Sequence, residues 1–269
     1  QKAGATVRFS TVLGEDPLKD FVLQDLASCG IACDALVDHT RPTTQKTVFV
    51  AGGYRVLKVD TLDNRAVSDK ILDQLRASLM EDRADIYVFS DFRHGIFSRQ
   101  TIPQLVGAVP AGALRVADSQ VASRWGNILD FQGFDLITPN EREARFALGD
   151  QDTVIRPLAF ELYKLARCKL LILKMGDRGI LTYRASSEDV RSFFTVDSFA
   201  HNVVDPIGAG DALLAYATLA LATTKSPVIA SLLGSMAAAV ACEHEGNVPV
   251  GPEDIVKKLE EIEGSIRYA

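Results

Sequence analysis

A short glycine turn followed by an acidic residue is the part of this sequence whose residue types most directly suggest chemistry. Gly208, Ala209 and Gly210 precede Asp211 and a long apolar run. If that run is a helix, its first backbone N–H groups and the positive end of its dipole form an anion site. Asp211 would repel a bound anion, unless the anion is a transferring phosphoryl group and Asp211 takes the proton of the attacking hydroxyl. The alternative is that Asp211 only caps the helix.

Asn140 and Glu143 form an N-x-x-E segment directly after the predicted strand Leu136–Thr138. An Asn at a helix start with a Glu three residues later is typical of a capping box, which is a structural arrangement. The same geometry would let Glu143 hold a hydrated Mg²⁺ while Asn140 orients nucleotide phosphates. The sequence leaves both interpretations open.

A lysine and two glycines lie around the end of another predicted strand. Lys174 ends the strand Leu170–Lys174, and Gly176 and Gly179 bracket the turn that follows. A turn with two glycines before another strand usually indicates a hairpin. Because ligands of open parallel sheets bind beyond the carboxyl ends of the strands, Lys174 could alternatively reach a nucleotide phosphate.

Asp91 lies just past the predicted strand Ile86–Phe89. Position alone favours a structural role, in which the carboxylate caps the following turn or helix. In the functional alternative, Asp91 would accept hydrogen bonds from the hydroxyl groups of a substrate.

The elements that must carry these residues follow from the hydrophobic pattern. Short apolar strands alternate with amphipathic helices, which indicates an α/β fold with a parallel sheet covered on both faces. The predicted strands are Val7–Leu13, Ile86–Phe89, Leu114–Ala117, Leu136–Thr138 and Leu170–Lys174. The predicted helices are Leu18–Cys29, Ser68–Met80, Ser98–Val106, Glu141–Leu148, Ala209–Thr223, Val228–Glu243 and Glu253–Ile262.

Two places interrupt this alternation. Consecutive strand-like segments joined by turn residues, Gly52-Gly53 among them, predict a small antiparallel excursion at Ala32–Val37, Thr44–Ala51 and Tyr54–Asp60. The segments Gly179–Tyr183 and Val190–Val196 predict a hairpin. Without repeats, low-complexity segments or a linker, the predicted organisation is one domain, 1–269, with residues 32–60 as a β appendage.

Composition limits the class of protein. The net charge of −6 and the pI near 5.3 argue against a general binder of nucleic acid or membrane surfaces. The apolar runs are shorter than a membrane span. The four cysteines show neither a CxxC pair nor metal-ligand spacing, which favours a reduced, cytoplasmic location. Because the chain starts without Met, partway through a strand pattern, we expect it to be part of a longer polypeptide.

Two common nucleotide-binding signatures do not occur in the sequence. There is no G-x-x-x-x-G-K-[ST] segment, which excludes a Walker-type loop, and there is no H-R-D or D-F-G segment of the protein kinases.

Taken together, "DPIGAGD", "TPNERE" and "KMGDRG" resemble the ribokinase-like carbohydrate kinases of the PfkB family. The resemblance runs over nearly the whole chain and implies a three-layer α/β/α fold with a mostly parallel central sheet. Residues 32–60 stand where the family inserts its antiparallel β lid. The segments "RPTTQKTVFV", "VFSDFRHG" and "LITPNEREA" look most like the heptose 7-phosphate kinase domain of bifunctional heptose kinase/nucleotidyltransferase enzymes.

The resemblance also implies roles for individual residues. Asp211 would be the catalytic base, and the backbone of Gly208, Ala209 and Gly210 the anion hole. ATP-binding residues would be Asn140, Glu143, Lys174, Gly176, Gly179 and Ser235. Glu143 would hold Mg²⁺ through water, and Asp205 and Gly246 would hold a monovalent cation such as K⁺. Asp91 and Lys46 are the substrate-side candidates.

The sequence departs from the family pattern at three places. Pro206 replaces the Thr of D-T-x-G-A-G-D, which removes a hydroxyl and an N–H. The segment Asp118-Ser119-Gln120 stands where the heptose kinase branch tends to have D-P-K. The family's first strand and its glycine-pair sugar-binding segment would precede Gln1.

These observations favour ATP-dependent phosphorylation of a sugar or sugar phosphate. The departures motivate a second hypothesis, a non-catalytic kinase-like module of a larger protein. A third hypothesis, a nucleoside kinase of the same fold, is weakened by the low aromatic content of 7% and the single Trp125. By resemblance only, a homodimer through the lid is expected.

Overall fold

The computed structural model describes residues 1–52, 54–81, 83–120, 128–184 and 192–267, with the side chains of residues 265–267 left out. Contacts divide the chain into two compact units. The first contains Gln1, Thr6–Ala84 and Asp91–Ala111, and the second contains Lys2–Ala5, Asp85–Ser90 and Gly112–Ala269.

The described residues form eight α-helices and ten strands. The strands are β1 (Arg8–Leu13), β2 (Ala32–Val37), β3 (Gln45–Ala51), β4 (Tyr54–Thr61), β5 (Ile86–Asp91), β6 (Leu114–Ser119), β7 (Leu136–Ile137), β8 (Leu170–Lys174), β9 (Ile180–Arg184) and β10 (Phe193–Val196). The helices are α1 (Pro17–Ser28), α2 (Asp69–Glu81), α3 (Thr101–Ala108), α4 (Glu141–Leu148), α5 (Ile155–Ala166), α6 (Ala209–Thr224), α7 (Pro227–Cys242) and α8 (Pro252–Arg267).

The first unit contains two separate pairs of strands. β1 and β2 pair in parallel, while β3 and β4 form an antiparallel hairpin with a register shift after Phe49. The expectation that Ala32–Val37 joins an antiparallel group is therefore wrong. Helix α1 is the connection between β1 and β2, as parallel pairing requires a crossover. The antiparallel segment is restricted to the β3–β4 hairpin.

The second unit is built on a six-stranded sheet with the order β10-β9-β8-β7-β6-β5. The pairs β6–β7 and β7–β8 are parallel, and β8–β9 and β9–β10 are antiparallel. This confirms the hairpin predicted after Leu170–Lys174, although residues 185–191 lie outside the described residues. The carboxyl ends of β6, β7 and β8 meet at one edge of the sheet because these strands run in the same direction.

Both faces of this sheet are covered by helices, as expected for a three-layer α/β/α fold. On one face, Leu170 and Ile172 of β8 pack in a cluster with Leu213 and Ala217 of α6. On the other face, Tyr183 of β9 lies against the rings of α5, with its centroid 5.1 Å from that of Tyr163. The alternation of side chains along a strand directs neighbouring residues to opposite helical layers. Burial on both faces also explains why β8 is a continuous apolar run.

Most predicted elements are observed with small shifts at their ends. Glu141–Leu148 and Leu170–Lys174 have the predicted bounds. Helix α5 is absent from the sequence prediction. Gly53 and Trp125 lie outside the described residues. Within the described part of the chain, no helix combines the length and apolarity needed to cross a membrane.

Candidate active site

A cavity of about 650 Å³ lies within the second unit, a size typical of small-molecule sites. It brings together, from four separate parts of the sequence, most of the predicted site residues. These are Asn140, Glu143, Lys174, Gly176, Gly179, Gly208, Ala209, Gly210, Asp211 and Ser235. The cavity is at the carboxyl ends of β6 and β8, where ligands of parallel sheets bind.

Gly208 forms the N-cap of α6 with φ +81° and ψ −11°. An L-residue adopts this conformation only with strain, and a Cβ at this position would lie 2.2 Å from Asn247 Oδ1. The helix starts at Ala209, and the N–H of Ala212 donates to Gly208 O at 2.9 Å. As at any helix start, the first-turn N–H groups lack intrahelical acceptors, although the Ala209 N–H donates to Pro206 O at 3.4 Å. Residues 208–211 line the cavity. Asp211 is exposed in this first turn.

Asn140 and Glu143 make the capping box that their spacing predicts. The Glu143 N–H donates to Asn140 Oδ1 at 2.8 Å, and the Asn140 N–H donates to Glu143 Oε2 at 2.7 Å. The two bonds satisfy N–H groups at the start of α4 and fix both side chains at the cavity wall. The structural interpretation is therefore correct, and it does not exclude the functional one, which stays a prediction.

Lys174 is held at the end of β8 by a buried carboxylate. Its Nζ lies 3.0 Å from Asp118 Oδ1, and the same oxygen accepts a hydrogen bond of 3.0 Å from Thr138 Oγ1. Asp118 also lines the cavity but was not among the predicted site residues. The signal that could have identified it is its position at the carboxyl end of β6, in the same sheet as β8.

The two glycines after β8 differ in their surroundings. Both have positive φ, +65° at Gly176 and +75° at Gly179. A Cβ on Gly179 would lie 2.1 Å from the carbonyl oxygen of Val196, whereas a Cβ on Gly176 would meet nothing within 4 Å. Gly179 is therefore required by the close approach of β10, and Gly176 by its backbone conformation alone.

Ser235 lies on α7 with only 6% of its surface exposed. Its Oγ has no hydrogen-bond partner among the described residues and borders the cavity. Because a buried hydroxyl without a partner is costly, a polar group of a ligand would satisfy it. Ala238 and Ala239, also on α7, leave space beside it.

Asp205 and Gly246, the predicted cation pair, are in contact. The Gly246 N–H donates to Asp205 Oδ2 at 3.2 Å, and the Ile207 N–H donates to Asp205 Oδ1 at 3.0 Å. The carboxylate thus stabilises the turn that leads into the glycine segment. Among the described residues, no group of three or more His, Cys, Asp or Glu could hold a metal ion.

The remaining candidates, Asp91 and Lys46, belong to the first unit. Asp91 is 2% exposed and its Oδ1 accepts the Arg93 N–H at 2.7 Å, so it does cap a turn. Lys46 Nζ lies 5.0 Å from the ring centroid of Phe92. Burial, followed by the charge of Lys46, lowers the pKa of His94 below its usual 6.5. A role of Asp91 and Lys46 in substrate binding stays a prediction.

Fold and cavity together define an α/β protein with a small-molecule-sized cavity at the carboxyl edge of its sheet. The family model for pfkB family carbohydrate kinases matches residues 1–253. The chain therefore belongs to the pfkB family, as the three quoted motifs predicted.

Curated relatives are similar to this chain over nearly its whole length. The chain is 25% identical over 263 residues to the bifunctional protein HldE of Pelobacter propionicus, covering 95% of this chain and 52% of that protein. It is 26% identical over 264 residues to HldE of a Bradyrhizobium species, with the same coverage. The chain thus spans about half the length of the curated relatives it matches.

The solved structures show the fold. Phosphofructokinase-2 of Escherichia coli in complex with potassium superimposes with a TM-score of 0.80 at 18% identity, covering 97% of this chain and 84% of that one. Ribokinase of Giardia lamblia superimposes with a TM-score of 0.75 at 19% identity, covering 97% and 85%. The ribokinase-like fold predicted from the sequence is confirmed.

Proposed function

We propose that this protein transfers the γ-phosphoryl group of ATP to a hydroxyl of a sugar or sugar phosphate. The observation that carries the proposal is one cavity in the second unit, which is lined by the Gly208–Gly210 turn, Asp211, the Asn140/Glu143 segment and Lys174. Each motif alone has a structural explanation. Their convergence on one cavity, in a member of a carbohydrate kinase family, supports a phosphoryl-transfer site.

In the proposed reaction, Asp211 accepts the proton of the attacking hydroxyl, and its exposure at the cavity gives an acceptor access to it. The oxygen attacks the γ-phosphorus in line as the bond to the leaving ADP oxygen breaks. The first-turn N–H groups at Gly208, Ala209 and Gly210 stabilise the charge on the transferred group. General-base catalysis of this kind contributes ~10²–10⁴-fold to a rate.

The residues present fit a divalent cation that arrives with the nucleotide. Mg²⁺ is usually bound through one or two carboxylates together with phosphate oxygens rather than by a complete protein cage. Glu143 supplies a fixed carboxylate at the cavity, and no larger acidic cluster is present in the described part of the chain. Bound there, Mg²⁺ would neutralise negative charge on the phosphates.

The nucleotide would extend from the glycine turn toward α7. Lys174, Gly176 and Gly179 line the phosphate end, and the unsatisfied Ser235 hydroxyl offers a hydrogen bond to the base or ribose. A monovalent cation is part of the proposal at Asp205 and Gly246. It is supported by the carboxylate of Asp205 and by the potassium in the similar E. coli phosphofructokinase-2 structure.

On the acceptor side, we propose that Asp91 and Lys46 contact the sugar. Similarity to the HldE proteins makes a heptose phosphate the first acceptor to test. We also propose that 1–269 acts as one kinase domain of a longer polypeptide in the cytoplasm, and that the β3–β4 hairpin serves as the lid and pairs with a second copy. The hairpin's exposed apolar side chains, such as Phe49 and Leu57, support the last point.

A second candidate is a non-catalytic kinase-like module, favoured by Pro206 and Gln120, which replace residues typical of the family and both line the cavity. The two candidates differ in turnover. ATP consumption by the full protein should be measured across a panel of free sugars, sugar phosphates and nucleosides, with ATP binding measured calorimetrically in parallel. Sugar-dependent formation of ADP supports the kinase. ATP binding without turnover on any acceptor supports the module, and turnover on nucleosides alone would replace the sugar kinase by a nucleoside kinase.

A further inference from the structure

Asp118 is a buried acidic residue whose carboxylate contacts two neighbouring strand ends. It lies on β6 with 6% of its surface exposed, and β7 separates β6 from β8 in the sheet. Its Oδ1 accepts hydrogen bonds from Thr138 Oγ1 of the segment after β7 and from Lys174 Nζ of β8. Three neighbouring strand ends are therefore joined through one carboxylate oxygen.

The ammonium group held by Asp118 lies against the glycine turn. A Cβ on Gly210 would be 3.3 Å from Lys174 Nζ and 3.9 Å from its Cδ, which is a tight contact for any side chain. Glycine at this position therefore lets the ammonium approach the first turn of α6. A positive charge beside the N-terminus of a helix is unfavourable by itself, because the dipole is positive there.

The ion pair is largely withdrawn from water. The side chains of Lys174 and Asp118 are 15% and 8% exposed. Burying two charges costs free energy that their mutual attraction often fails to recover, so such a pair is weak evidence for stability. An anion bound at the turn would reverse this balance, since it would interact favourably with both the ammonium and the helix dipole.

We propose that Asp118 is a positioning residue that holds the ammonium of Lys174 beside the Gly208–Gly210 turn, where it meets the γ-phosphoryl group. This inference rests on the proposed function. Asp118 acts here only through Lys174, and its own negative charge would repel the nucleotide if Lys174 were absent. Whether removing the charge of Asp118 raises ATP affinity therefore depends on the residue at position 174.

The test combines Asp118→Asn, Lys174→Gln, the double variant and Lys174→Arg, with ATP and ADP affinities measured by calorimetry. Lys174→Gln should weaken ATP binding ~10–100-fold, as expected for loss of a charge-assisted hydrogen bond, and ADP binding by less. Asp118→Asn alone should leave ATP affinity no weaker but lower kcat about 10-fold, as expected when a positioning contact is lost. The double variant should bind ATP more tightly than Lys174→Gln.

Lys174→Arg and a matched ion pair provide the controls. Arg keeps the charge and should preserve the preference for ATP over ADP. Lys169 precedes β8 and pairs with Asp135 at 2.7 Å, and its side chain is more exposed than that of Lys174. Lys169→Gln removes a Lys–Asp pair at the other ends of these strands and should change neither affinity. Thermal unfolding of each variant identifies any that fails to fold. If Lys174→Gln fails to fold, the ATP and ADP affinities of Lys174→Arg are compared with those of the unchanged protein instead.

Two results would overturn the inference. In one, the double variant binds ATP more weakly than Lys174→Gln, so that Asp118 contributes independently of Lys174. In the other, Asp118→Asn raises the Mg²⁺ concentration needed for ATP binding, which would make Asp118 a direct cation ligand. Because these affinities require no acceptor, failure to find a sugar substrate would count against the proposed function and leave this test intact.

Discussion

Exchanging each of the two glycines after β8 for alanine compares a position that is crowded and strained with one where only the backbone is strained. At Gly179 the ψ of −133° combined with a positive φ adds to the strain, because few residues other than glycine adopt it. In both variants the new residue must hold a positive φ. Only Gly179→Ala places its Cβ 2.1 Å from Val196 O, and that backbone oxygen must retreat by roughly 1.3 Å to reach the 3.4 Å at which ordinary contact begins. Crowding of this kind costs ~1–3 kcal/mol. Gly176→Ala carries the backbone strain alone, about 1–2 kcal/mol.

The two variants should therefore differ in their thermal unfolding. A loss of 1 kcal/mol lowers the Tm of a domain of this size by ~2–4 °C, so Gly179→Ala should unfold roughly 5 °C below Gly176→Ala. Scanning calorimetry on the two variants and the unchanged protein measures this difference, and urea unfolding checks it at equilibrium. Equal losses of Tm, or a larger loss in Gly176→Ala, would refute the reasoning that β10 is packed directly on Gly179.

Two further predictions concern titrating groups. His94 should titrate by NMR below its usual 6.5, because burial and Lys46 disfavour its charged form. The stability contributed by neutral His94 is present above pH 6.5 and is lost as the pH falls through the lower native pKa. His94→Gln should therefore lose less free energy of unfolding on acidification than the unchanged protein. A native midpoint above 6.5 would contradict this. Burial raises the pKa of Cys168 to about 12, so iodoacetamide at pH 8 should label exposed Cys29 and spare Cys168 until the protein unfolds. Equal labelling of the two thiols in the native protein would contradict this.

Local signals in the sequence identified the elements that carry the site. The N-x-x-E spacing at Asn140 and Glu143 specifies a capping box because both hydrogen bonds close within one helical turn. The run Leu170–Lys174 reads as a strand buried on both faces, and it has those bounds. Helix α5 was missed, and Pro157 in its first turn interrupts the apolar pattern although proline is tolerated there.

Contacts between segments that are distant in sequence could not be predicted from the sequence. Ala32–Val37 pairs in parallel with β1. The six residues of this strand have no pattern that distinguishes parallel from antiparallel pairing. Asp118 and Lys174 are 56 residues apart, and only the sheet order brings their strand ends close together. Residues of contiguous motifs, such as Asn140 and Glu143, lie at one cavity as expected, and their roles stay predictions. Asp118 was missed because its partner Lys174 is distant in sequence.

The central claim, that Asp211 is the base of a phosphoryl-transfer site, is tested most directly by the Asp211→Asn variant with ATP and an active acceptor. The rate of phosphoryl transfer should fall ~10²–10⁴-fold. Calorimetric ATP affinity should stay close to that of the unchanged protein, because the phosphate-binding N–H groups are backbone groups. Asp69→Asn, at an exposed Asp in the first turn of α2, is the matched control and should transfer at the normal rate. Transfer by Asp211→Asn at a near-normal rate would contradict the account.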